Sequence, residues 1–146
     1  MRWRSEAECA AMAAQLASKP AIRNAFIALD GPLGSGKTTF VRHLLRALGV
    51  QGHIKSPTYA VMEPYELPGL AIAHLDFYRF DEEHEFIDAG LREVFERPGL
   101  KLAEWPGRAG AALPRPDLRI ELEPLNGNQR RVTVTALSPI GQELLP

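Results

Sequence analysis

The sequence has few of the features that mark secreted, membrane-spanning or zinc-binding proteins. Its single cysteine, Cys9, has no partner for an internal disulfide, and no run of about 18 apolar residues is present to span a bilayer. The first residues lack the continuous apolar segment of a secretion signal. The four histidines show no zinc-site spacing. These absences predict a cytoplasmic protein without membrane contacts, and the length predicts one domain, 1–146.

The chain also lacks a strong net charge. Its formal charge is −1, whereas domains that bind nucleic acid tightly on their own are usually basic, so we expect no stable nucleic-acid binding by this chain alone. The charge is unevenly distributed. Residues 1–60 carry eight lysines and arginines against three acids, and residues 61–104 carry four against eleven. The acidic part is either a solvated face or a docking surface for a basic partner.

Three segments have patterns typical of helices. Ser5 and Glu8 have the spacing of a capping box, and the periodicity that follows puts Cys9 on the buried face of the first helix. Asp81 is the expected cap of the third helix. The predicted helices cover residues 5–18, 37–48 and 82–96.

Short apolar runs predict strands over residues 25–29, 59–65, 70–75 and 100–103. Near the C-terminus, Leu118 and Val132 begin two segments in which apolar and polar residues alternate, and Asn126-Gly127 lies between them. This arrangement is typical of an antiparallel hairpin. The expected fold class is therefore α/β, with a largely parallel core and an antiparallel C-terminal hairpin.

Residues 31–38, Gly-Pro-Leu-Gly-Ser-Gly-Lys-Thr, match the pattern G-x-x-x-x-G-K-[ST] without a mismatch. Glycines let the backbone turn its N–H groups toward a phosphate, and the N-terminus of the following helix adds a positive dipole. Lys37 supplies a positive charge for the β- and γ-phosphates, and Thr38 supplies a hydroxyl ligand for Mg²⁺. The pattern predicts ATP and Mg²⁺ as cofactors. The predicted nucleotide-binding residues are Gly31, Leu33, Gly34, Ser35, Gly36, Lys37, Thr38 and Thr39.

Two carboxylates complete the predicted metal site, because Mg²⁺ bound with a nucleotide usually also involves protein carboxylates. Asp76 and Glu104 each end an apolar strand, and ligands collect at the carboxyl ends of parallel strands. If the strands are parallel, both acids lie near Thr38. The alternative is that each is a helix cap or a turn acid. Thr58, on the loop after the phosphate-binding helix, is either a sensor of the γ-phosphate or an ordinary turn residue.

Three further residues allow two interpretations each. His74 interrupts an apolar strand and is more often a core histidine than a catalytic one. Arg79 is a candidate arginine finger or a surface arginine. Trp105, between Glu104 and Pro106, packs in the core or forms a wall of the nucleotide site, and the sequence does not decide between these.

Several blocks together resemble the TsaE family (also called YjeE), the ATPases of tRNA threonylcarbamoyladenosine biosynthesis. Their order and spacing are more specific than the phosphate loop alone, which many families share. Pro32 and Ser35 depart mildly from the usual Asp and Ala of the family's loop. The blocks are G-P-L-G-S-G-K-T-T-F at 31–40, K-S-P-T-Y at 55–59, E-P-Y at 63–65, H-L-D-F-Y-R at 74–79 and A-E-W-P at 103–106.

The resemblance implies a P-loop NTPase-like three-layer sandwich, with a mainly parallel sheet and helices on both faces. It implies slow, Mg²⁺-dependent ATP hydrolysis coupled to the partner proteins TsaD and TsaB, which modify the adenosine beside the anticodon. The chain would reach tRNA only indirectly, through that complex.

The matching motifs imply that Lys37 and Thr38 bind phosphate and Mg²⁺. They also imply that Asp76 and Glu104 are the acidic residues of the metal site. It places Thr58 on a switch-like segment. Relatives also contact the nucleotide from the start of the first helix and from the late hairpin. The nearest positions in this chain are Glu6 and Gly127.

Two other functions are compatible with the same loop. A small-molecule kinase would need an acceptor pocket and commonly an arginine-bearing lid, and no lid-like arginine cluster is visible. A non-hydrolysing assembly factor would only distinguish ATP from ADP, and the two carboxylates argue mildly against it.

Overall fold

The computed structural model describes residues 1–146 and shows one seven-stranded sheet with helices on both faces. The strands are β1 (Arg2–Trp3), β2 (Phe26–Asp30), β3 (Met62–Leu67), β4 (Leu70–Asp76), β5 (Leu100–Glu104), β6 (Leu118–Pro124) and β7 (Arg130–Ala136). The α-helices are α1 (Glu6–Ala17), α2 (Lys37–Leu48), α3 (His84–Asp88), α4 (Arg92–Glu96) and α5 (Pro139–Leu144). Short 3₁₀ helices span Pro20–Asn24, Pro106–Arg108 and Gly110–Ala112. None of the helices has the length and the apolar stretch that crossing a bilayer requires.

The sheet has the order β1-β7-β6-β2-β5-β4-β3. The four central strands, β6, β2, β5 and β4, are parallel, as the sequence predicts for β2, β4 and β5. The antiparallel pairing of β6 with β7 confirms the predicted C-terminal hairpin. Two further pairings, β1 with β7 and β3 with β4, are also antiparallel, so the sheet as a whole is mixed rather than mainly parallel. The reason lies in the connections: β3 to β4 and β6 to β7 are joined by short turns, which can only link antiparallel neighbours.

Side chains of β2 alternate between two separate cores. Ile27 and Leu29 pack on one face with α1, α2 and α5, where Leu44 is among the buried residues. Phe26 belongs to the opposite core, which includes Phe86 of α3. Burying one such side chain stabilises the fold by about 1.5–3 kcal/mol. The parallel core is therefore covered on both sides, which accounts for its nearly continuous apolar strands.

The two helices beside the predicted nucleotide loop are confirmed within one residue. Helix α2 has the predicted bounds and ends at Gly49, whose φ of 113° is favourable for glycine. Helix α1 begins after Ser5, whose hydroxyl accepts a hydrogen bond from the N–H of Glu8 at 3.3 Å. Cys9 is buried, as predicted.

The predicted helix over 82–96 is wrong, and so is the role of Asp81 as its cap. Two short helices, α3 and α4, occupy this region, and Glu83 precedes the first without a side-chain cap. Gly90, at φ 71°, bends the chain between them. With this bend, both Phe86 and Leu91 are buried in the second core. Tertiary packing overrides helix propensity here.

The strand predicted over 59–65 begins later, at Met62. Residues before it form a turn in which the N–H of Val61 donates to the carbonyl oxygen of Pro57 at 2.7 Å. Val61 itself has φ 70°, an uncommon conformation for a β-branched residue. The turn carries Thr58 toward the end of β4.

Candidate functional site

The loop Gly31–Gly36 connects β2 to α2 and is shaped by glycines. Gly31, Gly34 and Gly36 all have positive φ, and a Cβ at Gly31 would lie 2.5 Å from the carbonyl oxygen of Leu122 on β6. The backbone N–H groups of Gly34, Gly36 and the first α2 residues, Lys37 and Thr38, donate to no acceptor in the protein. A glycine-lined turn with free N–H groups at a helix N-terminus is a binding arrangement for anions.

Lys37 lies inside this loop. Its Nζ donates to the carbonyl oxygens of Gly31 and of Pro32, the second at 3.1 Å, and it sits 4.1 Å from the centre of the Trp105 ring. Burial lowers the pKa of the Lys37 ammonium, and nearby carboxylates, Glu104 first, oppose that shift. The loop thus holds a largely desolvated ammonium beside its free N–H groups.

The acidic side of the site forms where β4 and β5 end. Asp76 and Glu104 are partners in the register of these parallel strands, so both carboxylates reach the same edge of the sheet. The hydroxyl of Thr38 donates to both Glu104 oxygens, at 2.9 and 3.1 Å. The expectation that Asp76, Glu104 and Thr38 share one edge is confirmed.

Asp76 is held by two donors. The N–H of Tyr78 donates to Oδ1 at 2.8 Å, and the Thr58 hydroxyl donates to Oδ2 at 3.2 Å. Burial raises the pKa of the Asp76 carboxyl, the Glu104 charge adds to the rise, and the two hydrogen bonds oppose it. Thr58 therefore lies at the carboxylate end of the site, although its role as a sensor stays a prediction.

His74 lies beneath the acidic side. It is completely buried, and its Nε2 is 2.6 Å from Oε2 of Glu104. Because an ionised carboxylate only accepts hydrogen bonds, the Nε2 of His74 is the donor. Its Nδ1 has no partner, so His74 is a core histidine whose polar groups are half satisfied. Its one contact fixes the position of the Glu104 carboxylate.

The glycine-rich loop and the carboxylates of Asp76 and Glu104 line a cleft of about 290 Å³, here called the phosphate cleft. The cleft is bounded by Leu33, Gly34, Ser35, Gly36, Lys37, Thr38, Thr39, Thr58, Asp76, Tyr78, Glu104, Trp105 and Arg130. All predicted nucleotide-binding residues except Gly31 are on its wall. Gly31, the first residue of the loop, is not on this wall, and its carbonyl oxygen accepts a hydrogen bond from Nζ of Lys37. Trp105 forms part of the wall and also packs against the second core, so the structure gives it both of the positions that the sequence leaves open.

A second concavity of about 480 Å³, here called the α1 pocket, adjoins the phosphate cleft across the loop. The two share Ser35, Gly36, Thr39 and Arg130. The α1 pocket is lined by Trp3, Arg4, Ser5, Glu6, Cys9, Ser35, Gly36, Thr39, Asn128 and Arg130. Glu6 lines this pocket, and the hairpin contributes Asn128 but not Gly127 to it, while the contact of Glu6 and Gly127 with a nucleotide stays a prediction.

Arg79 lies outside the phosphate cleft. Its guanidinium stacks on the exposed Tyr59 ring at 4.0 Å, so it is a surface arginine in this structure. Asp81 and its acidic neighbours are exposed, which fits a solvated face and leaves a docking role as a prediction.

Two residues on the wall of the phosphate cleft were not identified from the sequence. Tyr78 follows Asp76 within the H-L-D-F-Y-R block, so its position was available as a signal. Arg130 lies on β7, and nothing in the local sequence connects it with a loop 95 positions earlier. Only the placement of β7 beside β6 brings it there.

The fold and the site define a class of protein: a three-layer α/β domain with a glycine-rich loop, several of whose backbone N–H groups are free, at the carboxyl ends of parallel strands. The family model "Threonylcarbamoyl adenosine biosynthesis protein TsaE" matches residues 3–132. The chain therefore belongs to the TsaE family of threonylcarbamoyl adenosine biosynthesis proteins, which confirms the resemblance seen in the sequence.

Individual relatives agree with this assignment. The chain is similar to the tRNA threonylcarbamoyladenosine biosynthesis protein TsaE of Haemophilus influenzae, with 33% identity over 80% of this chain and 73% of the relative. It is 35% identical to TsaE of Bacillus subtilis, over 76% of this chain and 69% of the relative. Among solved structures, the crystal structure of Bacillus subtilis YdiB matches with a TM-score of 0.80 and 27% identity, covering 99% of this chain and 88% of that one.

Proposed function

We propose that this chain is a Mg²⁺-dependent ATPase that supports threonylcarbamoyl modification of tRNA in the cytoplasm, together with TsaD and TsaB. Membership of the TsaE family supplies the pathway. The observation that carries the ATPase proposal is the contact between Thr38 and Glu104, 2.9 Å, next to the free N–H groups of a P-loop NTPase-like loop.

The residues present fit a nucleotide with Mg²⁺. The acidic side offers only oxygen donors, the Thr38 hydroxyl and the Glu104 and Asp76 carboxylates, which are the ligands that Mg²⁺ prefers. The chain contains no group of three or more His, Cys, Asp or Glu that would hold a metal by itself. This suits an ion held jointly by protein oxygens, water and the phosphates of a nucleotide.

The chain's own residues would act by neutralising and orienting charge. The free N–H groups of Gly36 and Thr38 would bind phosphate oxygens, and the Lys37 ammonium would stabilise charge developing on the γ-phosphoryl group as it is transferred to water. Mg²⁺, when bound, supplies further neutralisation of the phosphates. Glu104, fixed by His74, and Asp76 would hold or orient the metal and its water.

The arrangement of the arginines supports the expectation that the isolated chain hydrolyses ATP slowly. The guanidinium of Arg130 is bonded to loop carbonyls, and that of Arg79 is stacked on Tyr59. Arginine fingers that stabilise the transferring phosphoryl group raise the rate by about 10³–10⁵-fold in related reactions. A partner that completes the site would therefore stimulate turnover.

Steady-state hydrolysis by Lys37→Ala tests the mechanism. We expect its turnover to fall at least about 10²-fold, because the main mobile cation on the γ-phosphate is lost. Arg42→Ala removes an exposed cation from the same helix and should leave the rate unchanged. Normal turnover by Lys37→Ala would refute the mechanism.

The partnership and the two alternative functions need separate measurements. Co-purification with TsaD and TsaB in ATP, but not in ADP, would support nucleotide-dependent assembly. Single-turnover hydrolysis with and without these partners tests the assembly-factor alternative, which gains support if ATP stays intact in both. A phosphorylated small molecule, formed from ATP and candidate acceptors, would instead favour the kinase.

A further inference from the structure

Arg130 makes contacts that the proposed mechanism does not use. Its Nε donates to the carbonyl oxygen of Ser35 at 2.8 Å, and its Nη2 donates to that of Gly34 at 3.3 Å. The remaining nitrogen, Nη1, donates to the carbonyl oxygen of Gln129 at 3.0 Å. Arg130 forms no ion pair with a carboxylate, whereas its neighbour Arg131 pairs with Glu123 at the surface. Two nitrogens of the planar Arg130 guanidinium, Nε and Nη2, thus bind the backbone of the loop.

The two accepting carbonyls belong to consecutive peptide units. In a planar trans peptide the C=O of one residue and the N–H of the next point in opposite directions. Drawing the Gly34 and Ser35 carbonyls toward Arg130 therefore turns the N–H groups of Ser35 and Gly36 away from it. The Ser35 N–H donates to the carbonyl oxygen of Pro32 at 3.1 Å, and the Gly36 N–H stays free.

The conformation of Gly36 gives such a support a role. Gly36 has a φ of 105°, and glycine adopts positive and negative φ values about equally readily. The peptide between Ser35 and Gly36 is therefore free to rotate unless other groups hold it. A rotated peptide would present the Ser35 carbonyl oxygen, a negative dipole end, to a bound phosphate. An arginine that satisfies both carbonyls opposes that rotation and adds positive charge at the rim of the phosphate cleft.

We infer that Arg130 is a positioning residue that holds the Gly34–Ser35 and Ser35–Gly36 peptides of the glycine-rich loop in place, so that the N–H of Gly36 stays oriented toward an anion. The inference rests on the proposed function where nucleotide binding is concerned. It also assigns a role to the antiparallel hairpin: β7 supplies a support for the loop that the parallel core alone does not contain. Because Arg130 also lines the α1 pocket, one side chain borders both concavities.

The loop conformation is tested in the nucleotide-free protein. Backbone ¹⁵N relaxation should give order parameters for Ser35 and Gly36 typical of rigid backbone, about 0.85, in the unmodified protein. In Arg130→Ala we expect these values to fall below about 0.6. Arg131→Ala, which removes a guanidinium from the adjacent position and breaks only a surface pair, is the matched control and should leave them unchanged. Rigid Ser35 and Gly36 amides in Arg130→Ala would overturn the inference.

The consequence for binding is tested by titrating Mg²⁺-ADP. Loss of the charge-assisted hydrogen bonds should raise the Kd of Arg130→Ala about tenfold or more, with thermal unfolding used to confirm that the variant is folded. Arg130→Lys keeps the positive charge, but a single ammonium lacks the planar set of donors that binds two carbonyl oxygens at once. This variant should therefore recover only part of the affinity. Full recovery by lysine, or an unchanged Kd in Arg130→Ala, would refute positioning. If the unmodified protein bound no nucleotide, the proposed function would fail, and the order parameters would still decide the role of Arg130 in the loop.

Discussion

At the scale of single residues, the site concentrates groups that are costly to bury. Lys37, Asp76 and Glu104 are each at most 5% exposed, and His74 is fully buried beside them. Removing ionised groups from water is unfavourable unless partners compensate. The pKa shifts of Lys37 and Asp76 run in the direction that burial dictates, away from the charged form. Such groups persist where a ligand of complementary charge completes the site, which is the pattern expected of a functional centre.

Asp76→Asn should therefore stabilise the nucleotide-free protein while impairing hydrolysis. The pKa of the Asp76 carboxyl is raised in the folded protein, whereas in the unfolded chain it has the ordinary value of 3.8. As pH rises above 3.8, the unfolded chain therefore loses this proton first. Ionising the buried carboxyl then lowers the stability of the folded protein. We expect the Tm of Asp76→Asn at pH 7, without Mg²⁺, to exceed that of the unmodified protein by a few degrees. The gain should shrink as pH approaches 3.8. Hydrolysis should fall by roughly 10²-fold.

The control for this experiment is Asp81→Asn, which neutralises an exposed aspartate and should change neither Tm nor hydrolysis. A lower Tm for Asp76→Asn at pH 7 would show that hydrogen bonds from Tyr78 and Thr58 outweigh the cost of burying the charge. Scanning calorimetry at several pH values makes the distinction.

At the scale of elements, the short helix α5 is fixed to the sheet by Asp117, which precedes β6. The Ser138 hydroxyl donates to Oδ1 of Asp117 at 2.7 Å, and the N–H of Phe26 donates to Oδ2 at 2.7 Å. The helix also comes very close to the sheet at Gly141, where an added Cβ would lie 1.9 Å from the carbonyl oxygen of Asp117. The Asp117 carboxylate thus connects α5 with the start of β2, the strand that leads into the glycine-rich loop.

Gly141→Ala should destabilise the protein. The added methyl group meets backbone, which cannot move aside as a flexible side chain would, and overpacking of this kind costs about 1–3 kcal/mol. We expect urea unfolding to show a loss in that range. Gln142→Ala, an exposed change at the next position of α5, should stay within about 0.5 kcal/mol of the unmodified protein. Equal stability of the two variants would mean that α5 shifts freely on the sheet.

At the scale of the whole molecule, the site is assembled from separate parts of the chain. The loop follows β2, the carboxylates end β4 and β5, and Arg130 arrives on β7. A ligand that binds these parts together stabilises the folded state alone, in proportion to the logarithm of its concentration. Binding should therefore be visible as an increase in global stability.

Mg²⁺-ATP at about 100 times its Kd should add about 2.7 kcal/mol to the free energy of unfolding. For a domain of this size that corresponds to an increase in Tm of roughly 5–10 °C, measurable by differential scanning fluorimetry. Chelation of Mg²⁺ should remove part of the shift, because Thr38, Glu104 and Asp76 would then face the phosphates without the ion. Lys37→Ala should show little shift. The absence of any shift in the unmodified protein would contradict nucleotide binding.

Much of the fold and the site was accessible from local patterns. The glycine-rich loop, α2 and the positions of Asp76 and Glu104 at strand ends were predicted correctly because each depends on residues that are close in the chain. The break at Gly90 was missed, since burial of Phe86 and Leu91 against distant residues outweighs the helical pattern of the segment. The position of Trp105 on the cleft wall likewise depends on the tertiary structure.

The amino-acid order alone therefore establishes the family, the glycine-rich loop and the acidic strand ends, because periodicity, glycine conformation and strand termination are local properties. Which groups touch is a different matter. The proximity of Thr38 to Glu104 and of Arg130 to the loop depends on strand order in the sheet, and strand order is set by packing between residues far apart in the chain. No local pattern encodes it.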